Sequence, residues 1–270
     1  GVMRLLAPSL KLAENAAEMY PLMVKPDKKL SPRDLMAVNR DHYEGTRFDL
    51  TKGMAAGPFG NPNRYPTPKS VRPENMKNVD WTRAISIFRC SYSFVAQARD
   101  WMPEAVGGVL WFGEDAPHST VYMPIYAGVT SLPKSVSEGK RAEFDPDSAY
   151  WAFNFVSNWA DLRYDRMIED IKAAQKSYED EFFMMQPQIE EKALALYKEN
   201  PAKAKEYLTK YTNETINNVV DGWWKLGWTL VGKYSDGYVT TPDGKQEAPG
   251  YPTEWLETVG FSKDEAEPKK

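Results

Sequence analysis

The most strand-like pattern in the chain lies between Trp81 and Val129. From Ile85 to Val95 the residues alternate, with Ile85, Ile87, Arg89, Ser91 and Ser93 on one face and Ser86, Phe88, Cys90, Tyr92 and Phe94 on the other. A period of two is the signature of a strand, so the pattern predicts a strand whose second face is apolar. Two further β-rich runs, Gly107–Gly113 and Ser119–Tyr126, are joined by Glu114-Asp115-Ala116-Pro117-His118 and read as a hairpin.

Helical patterns flank this block. Ser31-Pro32-Arg33-Asp34 combines a capping serine, a first-turn proline and an acid, and starts a helix that should end near His42 or Tyr43, with Gly45 beyond. Asp145 and Pro146 are expected to open another. Its stripe of Tyr150, Phe153, Val156, Ala160, Tyr164, Met167 and Ile171 steps by three and four, and Trp151, Phe155 and Trp159 broaden it. Pro187 and Asn200-Pro201 should break or kink the pattern, and 201–233 is helical again. Asp236-Gly237 and the 241–244 turn suggest one last short hairpin, and Ser262–Lys270 a charged, frayed tail. Between the first helix and the strands, Thr46–Asp80 is a long Gly/Pro-rich connection, of the kind that is functional or wraps a neighbour.

Composition narrows the class. The 270 residues hold nine Trp, fifteen Tyr and eleven Phe, enough aromatic surface to build a core. A formal net charge of −4 without a basic block argues against nucleic-acid binding. No run of about 18 apolar residues is present to cross a membrane, and the opening GVMRLLAPSLKL is too short an apolar run for a signal peptide.

Candidate chemistry is sparse. Cys90 is the sole thiol, and the alternation places it on the apolar face, where a thiol is inert packing. The alternative, that Cys90 is the nucleophile of an unrelated thiol hydrolase, needs an exposed, reactive thiol. The two histidines lack metal-site spacing. His118, in the hairpin loop, is expected to be solvated, and His42, at a helix end, is either a terminal cap or a pocket contact. Asn154 reads as a buried hydrogen-bonding partner. The charge runs Glu179-Asp180-Glu181 and Glu190-Glu191-Lys192 read as solvated helix faces. Arg89, on a strand face with two serines and backed by aromatics, is the best local hint of a site, although the residues alone favour an ion-paired arginine near a sheet edge.

IFRCSYSF followed by GGVLWFGEDAPHSTVYMPIY resembles the later part of the N-terminal-nucleophile (Ntn) dipeptidases of the secreted dipeptidase A type, distant relatives of penicillin V acylase and bile-salt hydrolase. RDHYEGTRFDLTKGMAAGPFGNPNRY, YWAFNFVSNWADLRY and WWKLGWTLVGKYSDGYV agree with it in order. The resemblance implies a mixed α/β fold, the C-terminal part of an αββα sandwich with antiparallel strands followed by a long helical region. It divides the chain into 1–80 (helix and Gly/Pro-rich pocket loop), 81–130 (antiparallel strands of the core), 131–261 (helical outer layer) and 262–270 (tail), together one incomplete catalytic domain. It implies a cysteine-type dipeptidase that cleaves the peptide bond of dipeptides through an acyl-enzyme on an N-terminal cysteine. That cysteine is absent here, where the first residue is Gly1. The chain is therefore expected to be a C-terminal portion, inactive alone, partnered by a missing N-terminal half. It would be homo-oligomeric when intact, bind a dipeptide, need no metal or cofactor, and be cytoplasmic or exported with any signal preceding it.

Carried over residue by residue, the resemblance gives Arg89 a catalytic role against the thiolate or on a substrate carboxylate. It makes Asp41, His42, Glu44 and Arg64 substrate-binding candidates. The competing expectation is a non-catalytic, aromatic-rich binding module.

Overall fold

Ser31 caps the first long helix with a full capping box: its Oγ accepts from the Asp34 N–H at 3.3 Å, and Asp34 Oδ2 accepts from the Ser31 N–H at 2.8 Å. In this computed structural model, which describes residues 1–13, 20–140 and 142–261, that helix is α2. The elements in order are α1 (Val2–Leu6), α2 (Pro32–Asn39), β1 (Tyr92–Gln97), α3 (Glu104–Gly107), β2 (Val109–Glu114), β3 (Met123–Tyr126), α4 (Lys134–Ser137), α5 (Ala149–Ala160), α6 (Tyr164–Glu199), α7 (Pro201–Lys233), β4 (Val239–Thr240), β5 (Gln246–Glu247) and α8 (Thr253–Thr258). The fold is mixed α/β, with small antiparallel sheets and a long helical region. The charged tail from Ser262 lies outside the described residues.

β1, β2 and β3 form one antiparallel sheet in that order, so the expected hairpin is present, and β4 pairs with β5 as expected. One side of the sheet presents Val95, Val109, Trp111 and Tyr126 to a core shared with α5, α6 and α7. Trp111 stacks on Phe183 of α6 at 4.3 Å, and Phe153 of α5 on Trp223 of α7 at 5.0 Å. Burial of such side chains contributes roughly 1.5–3 kcal/mol each. Gly227 lets α5 approach α7, because a Cβ there would sit 2.7 Å from the Phe155 ring.

The strand predicted from Ile85 begins only at Tyr92. Tyr92 pairs with Glu114, the last residue of β2, and Asp115 beyond it turns away at φ 58°, so residues 85–91 have no strand to join. They are tied to loops instead: the Ser86 N–H donates to the Asp41 carbonyl at 3.1 Å, and the Cys90 N–H to Ile87 in a turn. The sides also differ from the reading of the alternation. Tyr92 and Phe94 face solvent, stacked with Phe112, while Val95 points inward. Cys90 is half-buried.

The helical stripe after residue 145 is present but divided. α5 starts at Ser148 rather than Asp145, because the Asp145 carboxylate instead closes a turn on the Asp147 N–H at 2.9 Å. A single 3-10 turn at Asp161–Arg163 separates α5 from α6. α6 runs through Pro187 without a break, while Asn200-Pro201 does end it, Asn200 Oδ1 accepting from the Ala202 N–H at 2.9 Å to cap α7. No helix among the described residues is long and apolar enough to cross a membrane.

Both acidic runs read as solvated contribute a buried carboxylate. Glu179 receives the Arg40 guanidinium at 2.6 and 3.0 Å, and Glu190 receives Arg99 at 2.6 and 2.8 Å. Each pair is bidentate, the geometry that fixes position as well as charge. The misreading has a plain cause: the arginines come from positions 139 and 91 residues away, outside any local pattern.

Candidate functional site

α2 ends at Asn39, earlier than expected, because Asp41 and Tyr43 form a local turn: Asp41 Oδ1 accepts the Tyr43 N–H at 3.1 Å and Tyr43 takes φ 65°. This turn throws His42 and Glu44 into a cavity of about 670 Å3. His118 forms its opposite wall, the inner face of α6 (Tyr164, Lys172 and Gln175) its floor, and Trp255 of α8 its outer rim.

The 115–122 connection carrying His118 is held from one face of α6. Gln175 Nε2 donates to the carbonyls of His118 and Thr120 at 2.8 and 2.9 Å. One turn on, Glu179 Oε1 accepts the Tyr122 N–H at 2.9 Å. Arg40 completes the clamp through the Pro117 and Thr120 carbonyls. His118 is consequently buried, 6% exposed, rather than solvated as its loop position suggested.

The imidazoles sit edge to face, 4.9 Å between ring centres. Glu44 accepts both the His42 backbone N–H at 2.7 Å and Nδ1 at 3.2 Å. With Nδ1 donating, Nε2 carries the lone pair, and that atom is buried without a partner. Burial alone would raise the Glu44 carboxyl, but these His42 contacts bring it down to about 2. His118 is fixed in the complementary form. Ser86 Oγ accepts the His118 backbone N–H at 3.0 Å, so its own proton points to His118 Nδ1 at 3.1 Å. Nδ1 is then an acceptor and Nε2 a donor. Burial first, then the proximity of His42, holds the His118 pKa well below its ordinary value, so the ring is neutral. The cavity therefore juxtaposes a buried base and a neutral donor, a pair suited to hydrogen-bonding both edges of an amide.

Asp41 stands behind this cavity rather than in it. Its Oδ1 pairs with Arg4 at 2.8 Å, and burial raises its pKa. A second cavity of about 340 Å3, lined by the Ser86 segment, holds Arg64 and Arg89. Arg64 donates to the carbonyls of Leu50, Asn61 and Asn63 and so staples the Gly/Pro-rich loop. Arg89 is exposed and sits in a turn, not on a strand, since the ladder starts three residues later. Among the described residues it makes no hydrogen bond or ion pair, so its planar fork of donors is available. Cys90 beside it has its thiol raised by burial and by Asp115, which disfavours the thiolate. Asn154 Nδ2 donates to Asp115 Oδ1 at 3.0 Å, the hydrogen-bonding role expected of it. Sequence reasoning missed His118 and Ser86. Their one local signal, a histidine in a loop rich in turn residues, does not distinguish buried from solvated.

A mixed α/β chain thus carries a histidine–carboxylate cavity beside an arginine-lined one. Apart from the α8 rim at Trp255, the residues named in both fall within the stretch 1–177 that matches peptidase family C69, and the chain belongs to that family. It is 25% identical over 149 residues to a probable dipeptidase B of Lactococcus lactis subsp. lactis (strain IL1403), a match spanning 55% of this chain and 27% of that protein. A probable dipeptidase of Salmonella dublin is 29% identical over 122 residues, 45% of this chain and 23% of its own length. A probable dipeptidase of Latilactobacillus sakei is 26% identical over 161 residues, 60% and 29% respectively. The matches span less than a third of these relatives.

Proposed function

We propose that the chain is the C-terminal portion of a cysteine-type dipeptidase of the Ntn-hydrolase kind, its strands forming part of the catalytic sandwich and its helices the outer layer. The observation that carries this reading is family membership over a stretch containing His42, Glu44, Arg89 and His118, with relatives named as dipeptidases. The nucleophile is an N-terminal cysteine outside these residues. Its thiolate adds to the peptide carbonyl, the C–N bond breaks as the leaving amine takes a proton, and water releases the acyl group from the thioester. Arg89 binds the free carboxylate of the dipeptide through two parallel hydrogen bonds, which its unpaired and exposed guanidinium supports. His42, held by Glu44, accepts from the amide being cleaved, and His118 donates to it.

The test is dipeptide hydrolysis by this chain alone and by the chain co-expressed with a family-type N-terminal half. Activity in the pair, reduced at least about a hundredfold in Arg89→Ala through a raised KM, is expected. Activity of the chain alone would place the nucleophile within these residues and end this reading. The exposed Tyr92 and Phe94 rings, with half-buried Phe112 beside them, favour a second reading, a non-catalytic binding module, which inactivity of both preparations would support.

A further inference from the structure

A third cavity, of about 300 Å3, lies where β1 begins and β2 ends, roofed by residues 135–140 and Ser148. Glu114 lines it. On β2 this residue alternates onto the side of Phe112 and is the cross-strand partner of Tyr92. It is 8% exposed, yet its carboxyl makes no hydrogen bond or ion pair among the described residues. Two hydroxyls in the same cavity are also idle. Ser135 Oγ is buried with no partner, and Ser148, itself buried, stands at the start of α5 without a capping hydrogen bond from its side chain. Among the described residues, the charged groups at the rim are paired elsewhere, Lys140 with Glu143 at 3.6 Å and Glu138 with Lys134 at 3.7 Å.

One carboxylate and two hydroxyls make a set of acceptors around one small space. A primary ammonium has three N–H donors and no acceptor, so it satisfies the set, whereas an anion is repelled and an apolar group leaves every acceptor unpaired. The half-exposed Tyr92 ring, stacked on Phe112 at 5.7 Å, places a π-face beside the carboxylate, a combination that favours cations. Burial, then the charge of Asp115, pushes the Glu114 carboxyl up to about 7.

We infer that the Glu114 cavity binds a primary ammonium group through Glu114, Ser135 and Ser148. Resting on the dipeptidase reading above, that group is the free α-amine of the peptide substrate, at the opposite end from the carboxylate on Arg89. A lysine side chain from another polypeptide segment offers the same chemistry, so the test separates the two sources.

The test is calorimetric titration of this chain with alanyl-alanine, N-acetyl-alanyl-alanine and a lysine blocked at both backbone ends. Alanyl-alanine should bind and the acetylated form should not. Glu114→Gln should weaken binding at least about tenfold, and Ser135→Ala or the surface change Tyr92→Leu several-fold. Glu114→Gln removes an unpaired buried charge with an isostere and should keep the fold, which its thermal unfolding checks. Tyr92→Leu touches no core residue and serves as the second variant. Equal affinity in Glu114→Gln, equal binding of the acetylated peptide, or no binding of any amine overturns the site. Binding of the blocked lysine but not of alanyl-alanine overturns the α-amine assignment and makes a protein lysine the occupant. Failure of the dipeptidase reading is seen separately, as absent hydrolysis by the reconstituted pair while ammonium binding persists.

Discussion

Glu190 on the inner side of the sheet and Glu114 on the outer side are almost equally buried, 6% and 8% exposed, and stand in opposite conditions. The inner carboxylate is bound by Arg99, the Tyr126 hydroxyl and Gln186. The outer one has no partner among the described residues. Burial therefore does not set the role of a carboxylate here; what it faces does. On the inner side, arginine–glutamate clamps fasten loops to α6 and, through Glu179 and Gln175, hold His118 in its cavity. On the outer side the aromatic rings and Glu114 are left with interactions still to make.

Removing one partner of the inner clamp should have the largest effect. Glu190→Ala leaves the Arg99 guanidinium buried and uncompensated, and should cost about 3–5 kcal/mol in urea unfolding; a loss below about 1 kcal/mol would erase the contrast with Glu114.

The outer carboxylate should behave in the reverse sense. A carboxyl raised from 4.5 to about 7 in the folded state withdraws stability as pH rises through that interval and restores it below. Glu114→Gln should thus exceed the native chain in stability at pH 8 by on the order of 3–4 kcal/mol, from about 1.4 kcal/mol per pKa unit. At pH 4 the two should melt alike. A saturating primary amine should narrow the gap at pH 8.

Ser86→Ala strips both the ring and the backbone N–H of His118 of a partner and should cost roughly 1–3 kcal/mol. A changed His118 imidazole tautomer, read by 15N NMR, is the signature that separates this from general loosening. The smallest effect belongs to the double substitution Tyr92→Ser, Phe94→Ser. On exposed positions it should change stability by less than about 0.5 kcal/mol, while reducing self-association in sedimentation, since the stacked rings form an apolar patch.

How much of this was legible in the chain depended on how local the cause was. The start of α2 at its Ser31 cap, the β2–β3 hairpin and the break at Asn200-Pro201 are set by neighbours in sequence, and all were readable. The start of β1 was not, because the alternation from Ile85 is genuine but β2 has already ended opposite Tyr92. Arg89 was placed on a strand for the same reason. Glu179, Glu190 and His118 were taken for solvated groups because their partners are Arg40, Arg99, Gln175 and Ser86, brought in by the fold. Of the candidate residues, His42 and Glu44 meet in one cavity, Arg64 and Arg89 in another, and Asp41 lies behind the first with Arg4. The tight Asp41–Tyr43 turn that sorts them leaves no periodic trace.

α6 is 36 residues long and α7 33, joined at Asn200 without a loop. At a 1.5 Å rise, α6 extends about 54 Å, and its contacts with α7 link residues close in sequence near the joint. The Arg40–Glu179 clamp, in contrast, closes across 139 residues. Ring closure over such a span carries an entropic cost that nearby pairings do not. The two helices should therefore zip together early from Asn200 inward, and the sheet with its histidine cavity should be assembled onto them as a later event. Pulse-labelled hydrogen exchange during refolding would then show amides near Leu208 protected before those of Trp111.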